Sequence, residues 1–262
     1  MASVGILLQS KSKVFPNGMG NNHDQLGRNI MDHHYQLGAS AKVDGHLDKY
    51  YKGRRPNGFY IPRFVNLDEK TKRKDFLRGF GYQGSASRGN WAETVAELGH
   101  GTALKEAILE PGGWEIGMTG FGEMLPYHDN RVTLSKDKKD QWGLPQLDFD
   151  VEFKENEYKM REAIKEEATA MLKAAGFRNV STYDRETGPG LGIHEMGGAR
   201  MGHDPKTSIL NKHNQLHDVP NVYVTDGAFM TSANCVNPSL TYMAFTARAV
   251  NHAVTELKKM NL

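Results

Sequence analysis

Asn221-Val222-Tyr223-Val224-Thr225-Asp226-Gly227, followed after a short loop by Asn237-Pro238-Ser239-Leu240-Thr241, is the stretch on which the reading of this chain turns. Val222–Val224 is a short run of β-branched and aromatic residues, and it predicts a buried strand ending at Thr225-Asp226-Gly227. Beyond it, Leu240, Met243, Ala244, Ala247, Val250, Val254 and Leu257 recur at helical spacing and predict a long final helix. Asn is a strong N-cap and Pro is favoured at the first helical position, so Asn237-Pro238 is expected to open that helix. A helix N-terminus presents unpaired N–H groups and about half a positive charge, and so stabilises an anion placed before it. Strand end, loop and capped helix, in that order, is where α/β proteins place cofactors. An ordinary capped helix also accounts for these residues, with no ligand needed.

Working back along the chain, Thr187-Gly188-Pro189-Gly190-Leu191-Gly192 is a Gly-rich loop that leads into Ile193-His194-Glu195-Met196-Gly197-Gly198. A histidine in so crowded a backbone can lie close to a ligand and act as acid or base near neutral pH. A hydrogen-bonded loop histidine is the plainer alternative. Before the loop, Met160, Ile164, Ala168, Met171 and Ala175 mark a helix from Glu155 to Ala175, with Glu in its first turn and Gly176 as its stop. Residues 36 to 135 are rich in Gly, aromatics and short alternating runs. Gly58–Val65 and Trp114–Met118 read as strands, Lys70–Lys74 as a solvated turn, Gly117–Gly122 as a loop and residues 136–146 as a polar loop.

Composition narrows the function classes. At about 150 residues per domain, 262 residues make one large domain or two smaller ones. With 33 Lys+Arg against 31 Asp+Glu the formal charge is +2, so no net field gathers nucleic acid or an anionic membrane. No run approaches about 18 apolar residues, and no membrane span is expected. The opening Met1–Phe15 lacks the order of charge and apolar core that a signal peptide shows. The single Cys235 excludes an intrachain disulfide and a Cys-rich zinc site, and a small buried thiol is expected there. His23, Asp32, His33 and His34 are of metal-binding types, but adjacent His33 and His34 would point apart if extended and no spaced carboxylates complete a site, so no metal is assigned. No G-x-G-x-x-G joins a strand to a helix anywhere.

Three blocks carry a resemblance: His194-Glu195-Met196-Gly197-Gly198-Ala199-Arg200-Met201-Gly202, then Asn221–Gly227, then Asn237–Thr241. In order and spacing they resemble the C-terminal signature of the glucose–methanol–choline (GMC) flavin oxidoreductases. Gly27-Arg28-Asn29-Ile30-Met31-Asp32-His33 is similar to that family's G-x-N-L-x-D-H segment. The wording HEMGGARMG and NPSLTYMAFTARA looks closest to the gluconate-dehydrogenase-like, sugar-oxidising branch. The resemblance implies an α+β chain holding part of the GMC fold, without the N-terminal Rossmann βαβ unit that holds ADP. Residues 1–35 would be a remnant of the FAD-binding domain, 36–185 an antiparallel-sheet substrate domain, and 186–262 the C-terminal part of the FAD-binding domain. If the rest of that domain is missing, Val222, Val224 and the last helix should be underburied.

The implied activity is oxidation of an alcohol, a sugar or polyol, by hydride transfer to FAD. The resemblance places the catalytic base on His194 and the substrate-orienting partner on Asn237. It places FAD contacts on Asp226, Gly227, Asn237 and Pro238. Implied partners are a small alcohol or sugar and either the missing N-terminal FAD-binding segment or an electron-acceptor subunit. Two other readings stay open: a non-catalytic split-gene or remnant product unable to bind FAD alone, and a metal-dependent hydrolase built on His23, Asp32, His33 and His34.

Overall fold

The computed structural model describes residues 1–49, 58–89, 100–109 and 112–262, and mixes helices with antiparallel sheet. In chain order the elements are α1 (Ala2–Gln9), β1 (Leu37–Val43), β2 (Gly58–Ile61), β3 (Phe80–Arg88), α2 (Thr102–Leu109), β4 (Trp114–Gly122), β5 (Arg131–Lys139), β6 (Pro145–Asp150), α3 (Glu155–Ala174), β7 (Arg178–Asp184) and α4 (Ser239–Lys258). They fall into two compact units. One holds residues 1–34, 123–157 and 188–262, the other residues 35–122 and 158–187.

The second unit is an antiparallel sheet in the order β2-β3-β4-β1-β7. β2 stops at Ile61 because Pro62 has no N–H to continue the ladder. Leu37, Ala39 and Ala41 alternate into the core on β1, beside Phe80, Tyr82 and Met118. Against them lie Met160, Ala163, Ile164, Ala168 and Leu172, the apolar face of α3. The helix closes as its sequence predicts. Gly176 takes φ +86°, its N–H bonds the Lys173 carbonyl at 3.0 Å, and the Phe177 N–H bonds the Leu172 carbonyl at 3.1 Å. Buried Arg161 pairs with Asp184 on β7, and Lys165 reaches the other carboxylate oxygen at 3.4 Å. Burial opposes the Asp184 charge, but these cations and the Glu186 N–H outweigh it and hold its carboxyl below the usual range.

Two sequence expectations fail in instructive ways. Gly117–Gly122, expected as a loop, lies inside β4, with β3 paired along it and β1 pairing as far as Thr119. The ladders need only backbone, and the missing side chain of Gly120 makes room for α3: a Cβ there would lie 2.2 Å from Ile164 Cγ2. Residues 136–146, expected as one polar loop, contain the end of β5 and the start of β6. Only 140–144 turns, where Asp140 Oδ1 accepts from the N–H groups of Trp142 and Leu144, both at 2.9 Å. Lys136–Lys139 are exposed, so the strand shows no apolar alternation to read there.

In the first unit, Val4, Leu7 and Leu8 of α1 share a core with Ile30, Val132 of β5, Leu210, Leu216, Val224 and Phe229. Three distant segments lie side by side. Met31 and Met196 exchange two backbone hydrogen bonds of 2.9 Å. Gly27 N–H bonds Gly198 O at 2.6 Å, and on the other flank Val132 N–H bonds Gly27 O at 2.8 Å. The segment 123–157 therefore groups with 1–34 and 188–262, whereas the sequence reading placed it within a 36–185 domain. No local spacing rule links β5 to Gly27 or to the core it joins through Val132, so the sequence carries no signal for this grouping.

The decisive stretch also departs from expectation. Val222–Val224 forms no strand, only an isolated Gln215–Tyr223 bridge. Tight turns close around it: Val222 N–H bonds Val219 O, Leu216 N–H bonds Val222 O, and Val224 N–H bonds the carbonyl of left-handed Asn214. The cap of α4 is shifted by one residue. The first helical bond runs from Tyr242 N–H to Pro238 O at 3.1 Å, so Pro238 is the N-cap, Asn237 lies outside, and no side chain caps the helix. The face α4 turns inward carries Tyr242, Phe245 and Ala249. The apolar row read from sequence stays exposed at Leu240, Met243, Val250, Val254 and Leu257. Val224, expected to be underburied, is buried at 5% exposure, while Val222 is half-buried.

The Gly120–Ile164 contact yields a test. Gly120→Ala should destabilise the protein by about 1–3 kcal/mol through overpacking. In an Ile164→Ala background, which removes the clashing Cγ2, the same change should cost clearly less. Chemical denaturation of the four proteins in this cycle measures the coupling, and equal costs in both backgrounds would contradict the contact.

Candidate active site

The site grows from two adjacent residues, Asp32 and His33, both 1% exposed. Asp32 Oδ1 accepts the His33 N–H at 2.7 Å. Its Oδ2 accepts the N–H groups of Gly190 at 2.8 Å and Gly192 at 3.0 Å. The carboxylate thus holds the Gly-rich loop that leads into His194. Only glycine permits this approach at 192, where a Cβ would sit 2.4 Å from Asp32 Oδ1. Ile193, which is 79% exposed at φ +53°, turns the chain, and His194 follows half-buried.

His33 meets His194 ring to ring. The two Nδ1 atoms are 2.9 Å apart, and the rings stand edge to face with centroids 4.9 Å apart. His33 Nε2 lies 3.0 Å from the carbonyl oxygen of Ala233. Burial pushes the His33 imidazole below its usual pKa, with His194 adding to the shift; the hydrogen bond to Ala233 and the Asp32 carboxylate oppose it only in part. Met31, Met196 and Ala233 form a small apolar cluster here, with Met230 against it.

Asp226 and Gly227 serve the fold visibly. Asp226 Oδ1 accepts the Ala228 N–H at 3.1 Å and caps a 3-10 turn over Gly227–Phe229, while its Oδ2 accepts the Ser3 hydroxyl at 2.7 Å. A Cβ on Gly227 would lie 2.7 Å from the Tyr242 hydroxyl and 3.0 Å from the Glu195 carbonyl oxygen, so protein atoms use that space. Burial, and then the carboxylates of Asp226 and Glu195, push the Tyr242 phenol up to about 12, and it stays protonated near neutral pH. Asn237 is exposed and Pro238 buried, both where the chain enters α4.

A cavity of about 450 Å³ adjoins the loop that Asp32 holds, within the range of about 300–1,000 Å³ usual for small-molecule sites. Ile30, Met31 and Phe149 give it apolar walls, and Asp32, Gly190 and Glu195 its polar ones.

The metal-binding alternative loses its geometry. His23 is exposed, His34 packs edge-on against Phe153 at 5.1 Å, and Asp32 is engaged by three backbone N–H groups. Among the described residues, no three His, Cys, Asp or Glu side chains are grouped to hold a metal. Cys235 is buried, as expected. The residues the sequence does not assign to the site are Asp32 and His33, both weighed there as metal ligands. Their signal was the quoted segment Gly27–His33, whose Asp-His pair ends next to the chain's other Gly-rich block in space.

Comparison with known proteins bears on the family of the chain. Residues 126–246 match the C-terminal region of the GMC oxidoreductases. The chain is 32% identical over 250 residues to 2-methyl-1,2-propanediol dehydrogenase of Mycolicibacterium austroafricanum, covering 93% of this chain and 44% of that protein. It is 27% identical to the fructose dehydrogenase large subunit of Gluconobacter japonicus, covering 97% and 45%. With the gluconate 2-dehydrogenase flavoprotein of Pantoea cypripedii it shares 27% identity over 56% of this chain and 25% of that protein. The chain spans about half the length of the first two relatives, or less. Its three signature blocks, its matched C-terminal region and its alcohol- and sugar-oxidising relatives place it in the GMC oxidoreductase family.

Proposed function

We propose that this protein oxidises a CH–OH group of a small alcohol, sugar or polyol in an FAD-dependent reaction, with His194 as the base. The observation that carries this reading is the placement of His194. It is half-buried, its loop is tied to Asp32, and its Nδ1 edge is held by His33, which leaves the Nε2 edge for a substrate hydroxyl. An imidazole so fixed can take the hydroxyl proton as the carbon–hydrogen bond breaks. The Asn237 amide would hydrogen-bond and orient the substrate oxygen.

Bound FAD would supply the acceptor for the hydride. The residues assigned to hold it are Asp226, Gly227, Asn237 and Pro238. The cavity beside Asp32 is lined by none of these four residues and not by His194, and its Asp32 and Glu195 carboxylates would repel phosphate, so the FAD assignment rests on the family resemblance and not on that cavity. The first-turn N–H groups of α4, which no side chain caps, favour negative charge near them.

The assignment of the unit 1–34, 123–157 and 188–262 to part of an FAD-binding domain, with the unit 35–122 and 158–187 recognising substrate, belongs to the same proposal; it moves 123–157 out of the 36–185 domain expected from sequence. The exposed apolar row of α4 supports it, because a complete domain would cover such a face. The covering polypeptide would be the N-terminal FAD-binding segment. One relative is named a large subunit, which suggests an electron-acceptor subunit as a further partner. The same exposed row favours the second reading, a chain that cannot hold FAD by itself.

Purified protein reconstituted with FAD separates the two. Retained flavin absorbance that bleaches anaerobically with a sugar, polyol or diol is the expected result. A chain that retains no FAD supports the second reading, and bound FAD that no CH–OH donor reduces overturns the first. His194→Ala should slow flavin reduction by about 10²–10⁴-fold, the usual cost of losing a general base, with FAD content little changed. Asn237→Ala and Asn237→Asp should both slow reduction while the cap of α4 remains at Pro238. Stopped-flow reduction rates equal to the parent's would remove either residue from the reaction.

A further inference from the structure

We infer that His33 is a positioning residue for His194: it accepts a hydrogen bond from His194 Nδ1–H and so fixes His194 in the tautomer whose lone pair lies on Nε2. This rests on the reading of His194 as the base and adds to it the nitrogen that does the work and the residue that selects it.

One hydrogen-bonding group here has no choice of role. The Ala233 carbonyl can only accept, so at 3.0 Å His33 Nε2 must carry the hydrogen. A neutral imidazole has a single N–H, so His33 Nδ1 is left with a bare lone pair. Two ring nitrogens 2.9 Å apart need one hydrogen between them, and His33 Nδ1 cannot supply it. His194 Nδ1 must therefore be the donor. In its neutral form His194 then has Nε2 bare, and Nε2 is the edge away from His33.

A cationic His33 would reverse the chain of donors, since it would donate from both nitrogens. The surroundings disfavour that state. His33 is 1% exposed, and burial lowers its pKa. Among the groups that act on it, the Ala233 and Asn234 backbone hydrogen bonds and the Asp32 carboxylate favour the cation and His194 disfavours it, and burial outweighs the first three. Asp32 is engaged elsewhere, with its oxygens on the N–H groups of His33, Gly190 and Gly192.

The arrangement also assists the proton transfer without a second one. When His194 Nε2 takes a proton, the ring becomes cationic and its Nδ1–H becomes a stronger donor to the neutral His33 acceptor. The contact strengthens as the charge forms, and the proton on Nδ1 stays where it is.

The test reads the tautomer directly. The full chain, labelled with 15N in its histidine rings, is examined by NMR near neutral pH, with ring signals assigned by single His substitutions. The expected spectrum shows His194 with a protonated, pyrrole-type Nδ1 and a bare, pyridine-type Nε2, and His33 with the opposite pattern. His33→Asn puts Oδ1 close to where Nδ1 was and should keep the His194 pattern. His33→Phe keeps the ring's bulk, removes the acceptor, and should shift His194 towards Nε2–H. A parent His194 protonated at Nε2 overturns the inference, as does a folded His33→Phe protein whose His194 pattern is unchanged. If His33→Phe fails to fold, the parent and His33→Asn spectra still decide. The outcome is separate from the catalytic reading: the expected tautomer with a fully active His194→Ala protein would sink the base role alone.

Discussion

The buried carboxylate of Asp32 is the interaction on which the site depends. A charge taken out of water is costly unless it is well bonded. Here three backbone N–H groups meet it, each such bond to an ionised group worth about 1.5–3 kcal/mol. Two of the three donors belong to a loop more than 150 residues further along the chain. One side chain thus joins the segment 27–33 to the approach of His194, and the next residue, His33, takes hold of the His194 ring. The Met31–Met196 backbone pair sets both segments side by side, and the two side chains turn that pairing into a defined geometry.

The same economy recurs elsewhere in the first unit. Asp226 caps the 3-10 turn with one oxygen and ties α1 through Ser3 with the other. Gly227, which family resemblance assigns to cofactor approach, also lets the Tyr242 hydroxyl and the Glu195 carbonyl close in. A residue in a family signature can therefore be required by packing and by chemistry together, and substitution at Gly227 would confound the two. Asn237 separates them better, because it is exposed and lies outside the cap of α4.

Much of the fold was legible where a local rule governs it. The helical spacing of Met160, Ile164, Ala168 and Met171, with Gly176 behind it, gave α3 almost to the residue. The local rules failed where tertiary contacts overruled them. Gly117–Gly122 reads as a turn, but lies within β4, where Gly120 serves the close approach of α3. Asn237-Pro238 reads as an N-cap and first turn, yet the first carbonyl to accept a helical bond is that of Pro238. The apolar row of α4 is real in sequence but lies on the face this structure leaves exposed. At the site, the spacing of three blocks points to His194 and Asn237; the structure ties the His194 loop to Asp32 and its ring to His33, and leaves Asn237 exposed at the entry to α4. The pairing of His33 with His194 was not legible, because no rule of spacing links residues 161 positions apart.

Amide hydrogen exchange at Gly190 and Gly192 tests the central claim most directly. The account predicts that both amides are protected in the parent and lose protection in Asp32→Ala, while Val132 and Leu216 in the main core stay protected. Gly190 and Gly192 amides that exchange freely in the parent, or that stay protected without the Asp32 carboxylate, would show that something else positions His194.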